Sequence, residues 1–191
     1  MKKILLLLVV FINLQAVDPG DLSDFSPPFA IRSLETGITL SPFREVSKDL
    51  LDQNWLLREI ILPPELKAKD LYAERLPFGY VQFVNPLDKD VCLAIDESGF
   101  FVGKPCSGDL QSGKLETVFS IMPTTTSAVQ IRSLVQGGGE CIQTFFNPNV
   151  PIEKRFGIKP CILDTALFAD VSELMFLSPA LIEATPLGEF Q

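Results

Sequence analysis

Apolar and polar residues alternate with a period of two in short bursts along this chain, and the bursts recur at a fixed spacing. Ile31-Arg32-Ser33-Leu34 returns as Ile131-Arg132-Ser133-Leu134, with a looser version, Val81-Gln82-Phe83-Val84, midway between them. Period-two alternation predicts half-buried β-strands, and a long repeat predicts a domain built from copies of one supersecondary unit. The first strands read Phe29-x-Ile31, Tyr80-Val81-x-Phe83 and Val129-x-Ile131. Turn formers follow each: Glu35-Thr36-Gly37, Asn85-Pro86-Leu87-Asp88 and Gln136-Gly137-Gly138-Gly139. Second strands open at Ile38-Thr39-Leu40, Cys92-Leu93-Ala94-Ile95 and Cys141-Ile142-Gln143-Thr144-Phe145. Third strands end Lys104-Pro105-Cys106 and Lys159-Pro160-Cys161, the cysteine following proline both times. Asn54-Trp55-Leu56-Leu57, Thr117-Val118-Phe119-Ser120 and Leu174-Met175-Phe176-Leu177 close the units. Four strands in each of three units predict an all-β chain folded as a β-trefoil, whose closed barrel and cap leave few exposed edges. Few segments read as helix, and Leu62–Glu74 is the best candidate, since Pro63-Pro64 suits an N-terminus.

The N-terminus breaks this pattern. Lys2 and Lys3 precede an unbroken apolar run from Ile4 to Ile12. Nine residues suit the core of a signal peptide and fall short of the ~20 needed to span a bilayer. Leu14-Gln15-Ala16 ends on a small residue, so cleavage is expected after Ala16. The expected organisation is a signal peptide at 1–16, a flexible tail at 17–28, the trefoil at 29–182 and a C-terminal tail at 183–191. An exported, soluble, bacterial protein follows from that leader.

Charge and composition then narrow the function. The formal net charge is −8, and −10 without the two leader lysines. Such a chain repels phosphate, so direct nucleic-acid binding is not expected. Four cysteines in an oxidising compartment predict disulfides. Of the three possible pairings the repeat selects Cys92–Cys106 and Cys141–Cys161, each inside its own unit, with Ile38 standing where the first unit lacks a cysteine. A zinc site does not fit these spacings in a chain without histidine. The absence of histidine also removes Ser-His-Asp and Cys-His nucleophile activation. Carboxylate chemistry alone survives, and Asp88, Asp90, Asp96, Glu97 and Asp109 sit in turn-like stretches where a solvated surface is the ordinary explanation. No catalytic residue, metal or cofactor is expected.

Gln53-Asn54-Trp55 carries the Gln-x-Trp signature of ricin-B-type lectin repeats, with Gln53 bracing a turn and Trp55 in the core. The other units place Thr117 and Leu174 at the Gln position and Phe at the Trp position, so the sugar-reading apparatus is eroded. Longer stretches are more specific: Ser33–Gly37, Asp52–Trp55, Leu76–Phe83, Lys114–Leu134, Phe145–Asn149 and Lys154–Ile158. Through these the chain resembles the C subunit of cytolethal distending toxin, in the forms of Campylobacter and Helicobacter relatives. The resemblance implies a non-catalytic member of a heterotrimer that pairs with a second trefoil, the A subunit. Together they deliver a DNase I-like B subunit that damages host DNA and arrests the cell cycle. It implies passage through the periplasm or outer membrane, then the host cell surface, with host glycan or cholesterol-rich membrane as the target. It also implies that the N-terminal tail lies along the nuclease, near its active-site cleft. Asp18, Asp21 and Asp24, interleaved with Leu22 and Phe25, are then expected to occupy a groove built for DNA phosphate, with Phe25 as an apolar anchor. Leu76, Phe78 and Tyr80 fall in a segment that relatives use as a proposed cholesterol-recognition element. Here the following cation, Lys89, lies too far along for the pattern, and alternation alone makes Tyr80 an ordinary strand residue. The alternative function is a secreted glycan-binding lectin acting alone.

Overall fold

In a computed structural model of the protein, which describes residues 25–43, 50–163 and 170–180, the alternating bursts become ten strands. They are β1 (Phe29–Ser33), β2 (Leu56–Ile60), β3 (Tyr80–Val84), β4 (Val91–Ile95), β5 (Phe101–Pro105), β6 (Phe119–Pro123), β7 (Val129–Ser133), β8 (Glu140–Thr144), β9 (Phe156–Pro160) and β10 (Met175–Pro179). Every pairing is antiparallel. The strands that open and close each unit form a ring, β1-β10-β7-β6-β3-β2, which the Phe29–Trp55 bridge shuts. The inner strands make hairpins β4–β5 and β8–β9 that cap it. This is the expected β-trefoil. In the first unit the second strand shrinks to one bridge, Arg32–Thr39.

Pairing register gives the equivalences between units and corrects four expectations. Cys92 lies opposite Val84, Cys141 opposite Arg132 and Thr39 opposite Arg32. Thr39, not Ile38, therefore replaces the cysteine. Met175 pairs with Ser33 as Phe119 pairs with Ser133, so Met175, not Phe176, stands where Trp55 and Phe119 stand. Glu173 rather than Leu174 then occupies the Gln position. The middle echo of Ile31-Arg32-Ser33-Leu34 begins at Phe83, two residues later than Val81. The core confirms this register. Ile31, Phe83 and Ile131, then Leu40, Leu93 and Ile142, then Trp55, Phe119 and Met175 form three rings, all in one cluster and nearly inaccessible. Each such side chain contributes about 1.5–3 kcal/mol of burial. Trp55 is satisfied as well as buried, its indole N–H donating to the Leu40 carbonyl at 2.9 Å.

Between the first two units the chain leaves the barrel. The expected long helix is a single turn, α1 (Pro64–Lys67), after which Asp70 turns the chain by accepting from the Tyr72 amide at 2.9 Å. Asp70 is buried, and the guanidinium of Arg132, also buried, grips it through both terminal nitrogens at 2.7 and 2.9 Å. The Tyr80 hydroxyl donates to the same carboxylate at 2.9 Å. Burial opposes ionisation of Asp70, but the Arg132 hydrogen bond and charge, with the Tyr72 and Tyr80 donors, outweigh it and hold its pKa below the ordinary value. Burial and the Asp70 contact push the Tyr80 phenol up to about 12. Gly138 makes the close approach possible. Its φ is +80°, and a Cβ there would lie 2.5 Å from the Arg132 guanidinium.

Candidate functional site

The cysteines pair as Cys92–Cys106 and Cys141–Cys161, with Cα atoms 5.1 and 4.9 Å apart. Each bridge ties the start of a cap hairpin to the residue just past its end. Cys106 also starts an unexpected helix, α2 (Cys106–Ser112), closed by Gly113 in the left-handed region. The Gln-x-Trp elements are structural: Trp55 lies in the core and Gln53 is half-buried in the 3₁₀ turn Leu50–Gln53. In the other units the glutamine has moved to the first strand. Gln82 donates to Thr117 Oγ1 at 2.7 Å, and Gln130 donates to Glu173 Oε2 at 2.8 Å. Of the turn carboxylates, Asp109 departs from a solvated surface. It is buried and accepts from the Glu116 and Thr117 amides. Asp88 braces its turn by accepting the amide two residues on, and Asp96 accepts those two and four residues on.

The membrane and partner candidates are placed differently. Tyr80 is 8% exposed and its hydroxyl is engaged by Asp70, while Leu76 and Phe78 are half-buried. Tyr80 therefore faces the interior of the fold. Asp18, Asp21, Leu22 and Asp24 lie outside the described residues. Phe25 packs on its own domain, against Leu56, Val84 and the Cys92–Cys106 bridge, under the Lys89 ammonium 5.1 Å from its ring centroid. Ser26 pins the chain beside it, its amide donating to Leu57 O at 3.0 Å and its hydroxyl accepting from Leu57 N at 2.8 Å.

A pocket that no motif announced lies where the three cap segments converge. Leu40, Ser41 and Pro42 come from the first unit, Phe100 and Phe101 from the second, and Lys154 and Phe156 from the third, around about 270 Å³. Phe101 and Phe156 are equivalent positions of the two hairpins, and their rings meet edge-on at 6.4 Å. Next to them the hairpin loops expose apolar side chains: Phe100 is 68% exposed and Phe146 86%, with Arg155 stacked 5.6 Å from the Phe146 centroid. The sequence carries one trace of this face. Phe100-Phe101 and Phe145-Phe146 are adjacent aromatics at the ends of the hairpin strands. A second, shallower concavity of about 400 Å³ is lined by Leu34, Thr126, Ser127, Ala128 and Phe176. Among the described residues no helix is long and apolar enough to cross a membrane, and no three Cys, Asp or Glu side chains group to hold a metal. The arrangement offers convergent aromatic surface and cations, which is the chemistry of binding.

Residues 28–186 match the family described as cytolethal distending toxin A/C domain. Among solved structures, one chain of the cytolethal distending toxin from Actinobacillus actinomycetemcomitans is similar at a TM-score of 0.61 and 19% identity, covering 92% of this chain and 99% of that one. A chain of the Haemophilus ducreyi toxin is similar at 0.61 and 20%, covering 91% and 99%. A structure described as BEL beta-trefoil, in an apo crystal form, is similar at 0.51 and 11%, covering 82% and 95%. No curated protein sequence matches the chain. At these identities the solved structures speak to the fold.

Proposed function

Because this chain belongs to the cytolethal distending toxin A/C domain family, we propose that it is the C-type, non-catalytic component of a secreted three-part genotoxin. It pairs with the second trefoil of the toxin, binds the host cell surface and delivers the DNase I-like nuclease, whose damage to host DNA arrests the cell cycle. The family match across residues 28–186 supports a toxin A/C trefoil, since it spans the whole trefoil rather than a motif within it, and the C-type assignment rests on the resemblance of stretches such as Lys114–Leu134. A chain without histidine and with a net charge of −8 suits delivery of a nuclease better than nuclease work. Export through the N-terminal leader and exposure at the host surface belong to the same reading.

The anchoring of Phe25 sharpens the proposal for the tail. Phe25 and Ser26 are fixed to the domain, so in this reading the acidic residues that precede them act on the nuclease from a defined place. Co-purification tests the function: tagged chain mixed with the partner trefoil and the nuclease should retain both. A chain that retains neither, yet binds cells by itself, is a stand-alone lectin instead.

A further inference from the structure

The geometry points to the cap pocket as a binding site for the carboxylate-bearing pyranose of an acidic host glycan, an assignment that rests on the host-surface reading above. Its volume of about 270 Å³ lies at the lower edge of ligand pockets, roughly 300–1,000 Å³. That suits a single sugar ring rather than a peptide segment or an acyl chain. Its walls suit the same ligand. Phe100 presents an open ring, and Phe101 and Phe156 present ring surface beside it. The polarised C–H face of a pyranose packs against the negative face of an aromatic ring, as edge-on aromatic pairs do.

Lys154 decides the charge of the occupant. It is exposed at the pocket, and among the described side chains no carboxylate lies within ion-pair distance of its ammonium. Lys104, Lys114 and Lys159 are each paired with acidic neighbours, and Lys67 and Lys89, which like Lys154 have no ion pair among the described side chains, do not line the pocket. A cation beside aromatic walls complements a ligand that is apolar on one face and anionic at one edge. A neutral sugar or a sterol leaves that cation without a partner, and a polyphosphate brings several charges to one lysine and meets more of the chain's repulsion than a single carboxylate does. Lysine acts here as a compact point charge, which accepts a carboxylate from several angles. All three units contribute walls, so the site needs the folded trefoil and has no signature within one repeat.

The test titrates the full chain with methyl β-glucuronide and a methyl α-sialoside, and with methyl β-glucoside as the uncharged match, by saturation-transfer NMR. The variants are Lys154→Gln and Phe100→Ala, both at exposed side chains, with circular dichroism confirming the fold. At least one acidic glycoside should bind more tightly than the glucoside. Lys154→Gln should weaken the acidic ligand about tenfold and erase the preference, Lys154→Arg should restore part of it, and Phe100→Ala should weaken every ligand. Equal binding of acidic and neutral glycosides, no binding of either acidic glycoside, or an unaltered Lys154→Gln variant overturns the assignment. Cell binding by the assembled toxin separates the two levels. If Lys154→Gln toxin binds cells as wild type does, the pocket assignment fails and host-surface binding stands. If wild-type toxin does not bind cells, the host-surface reading itself fails.

Discussion

Arg132 and Asp70 are both wholly buried, and a buried ion pair that loses one partner strands the other charge in a medium that cannot solvate it. Replacing Arg132 by Met should therefore cost about 3–5 kcal/mol of stability, read from urea denaturation. A double Asp70→Leu/Arg132→Met variant should recover part of that loss. The same group sets the pH range of stability. Asp70 has a depressed pKa in the folded state, so its contribution is present above the unfolded value, about 3.9, and is lost as the pH falls through the folded one. Tyr80 has a raised pKa, about 12. Its contribution is full below the unfolded value, about 10, and disappears as the pH rises towards the folded one. Urea midpoints should thus decline at both ends, and Tyr80→Phe should flatten the alkaline decline. An unchanged alkaline limb in that variant would show that another group controls it. At this scale the sequence was legible where a residue type admits one environment, as for Trp55, and illegible where neighbours are interchangeable. Leu174-Met175-Phe176-Leu177 is apolar throughout, so its alternation does not choose a face, and the apparent match of Phe to Trp slipped by one residue.

The cap hairpins β4–β5 and β8–β9 each carry a bridge across loops of similar length, with sequence separations of 14 and 20. Chain entropy then predicts about 3 kcal/mol for each. The paired Cys→Ser variants should lower stability by similar amounts in thermal melts, and a large inequality would mean that one bridge organises more than its loop. Hairpins and barrel strands were legible as elements because alternation and turn residues agree there. The helices were not. Helix formers continue past Lys67, yet Asp70 bends the chain to reach Arg132, a tertiary contact that overrides local propensity. Conversely, Cys106-Ser107-Gly108-Asp109 has poor helix propensity. It coils because the bridge fixes its start, Asp109 accepts two downstream amides and Gly113 closes its end.

Across the whole molecule, threefold repetition made the trefoil readable before any contact was known, because three equivalent rings of apolar side chains must appear three times in the sequence. The cap pocket has no such redundancy. Its walls come from Leu40, Phe100 and Lys154 and their neighbours, far apart in the chain, and convergence of distant segments leaves no local pattern. The tail stands between these cases. Its acidic residues are plain in the sequence, while the anchor at Phe25 becomes evident only where its ring meets Leu56, Val84 and the Cys92–Cys106 bridge. Deleting residues 17–24, which spares that anchor, should leave the thermal midpoint unchanged and weaken retention of the nuclease in pull-downs. Unaltered retention would assign the tail no part in assembly. The delivery role itself is tested most directly by size-exclusion chromatography of the chain mixed with the partner trefoil and the nuclease, followed by assay of host DNA damage with and without this chain. A delivery component should elute in one species that holds one copy of each of the three proteins, and DNA damage should fall sharply when it is omitted. A chain that elutes alone, with damage by the other two proteins undiminished in its absence, would contradict the role.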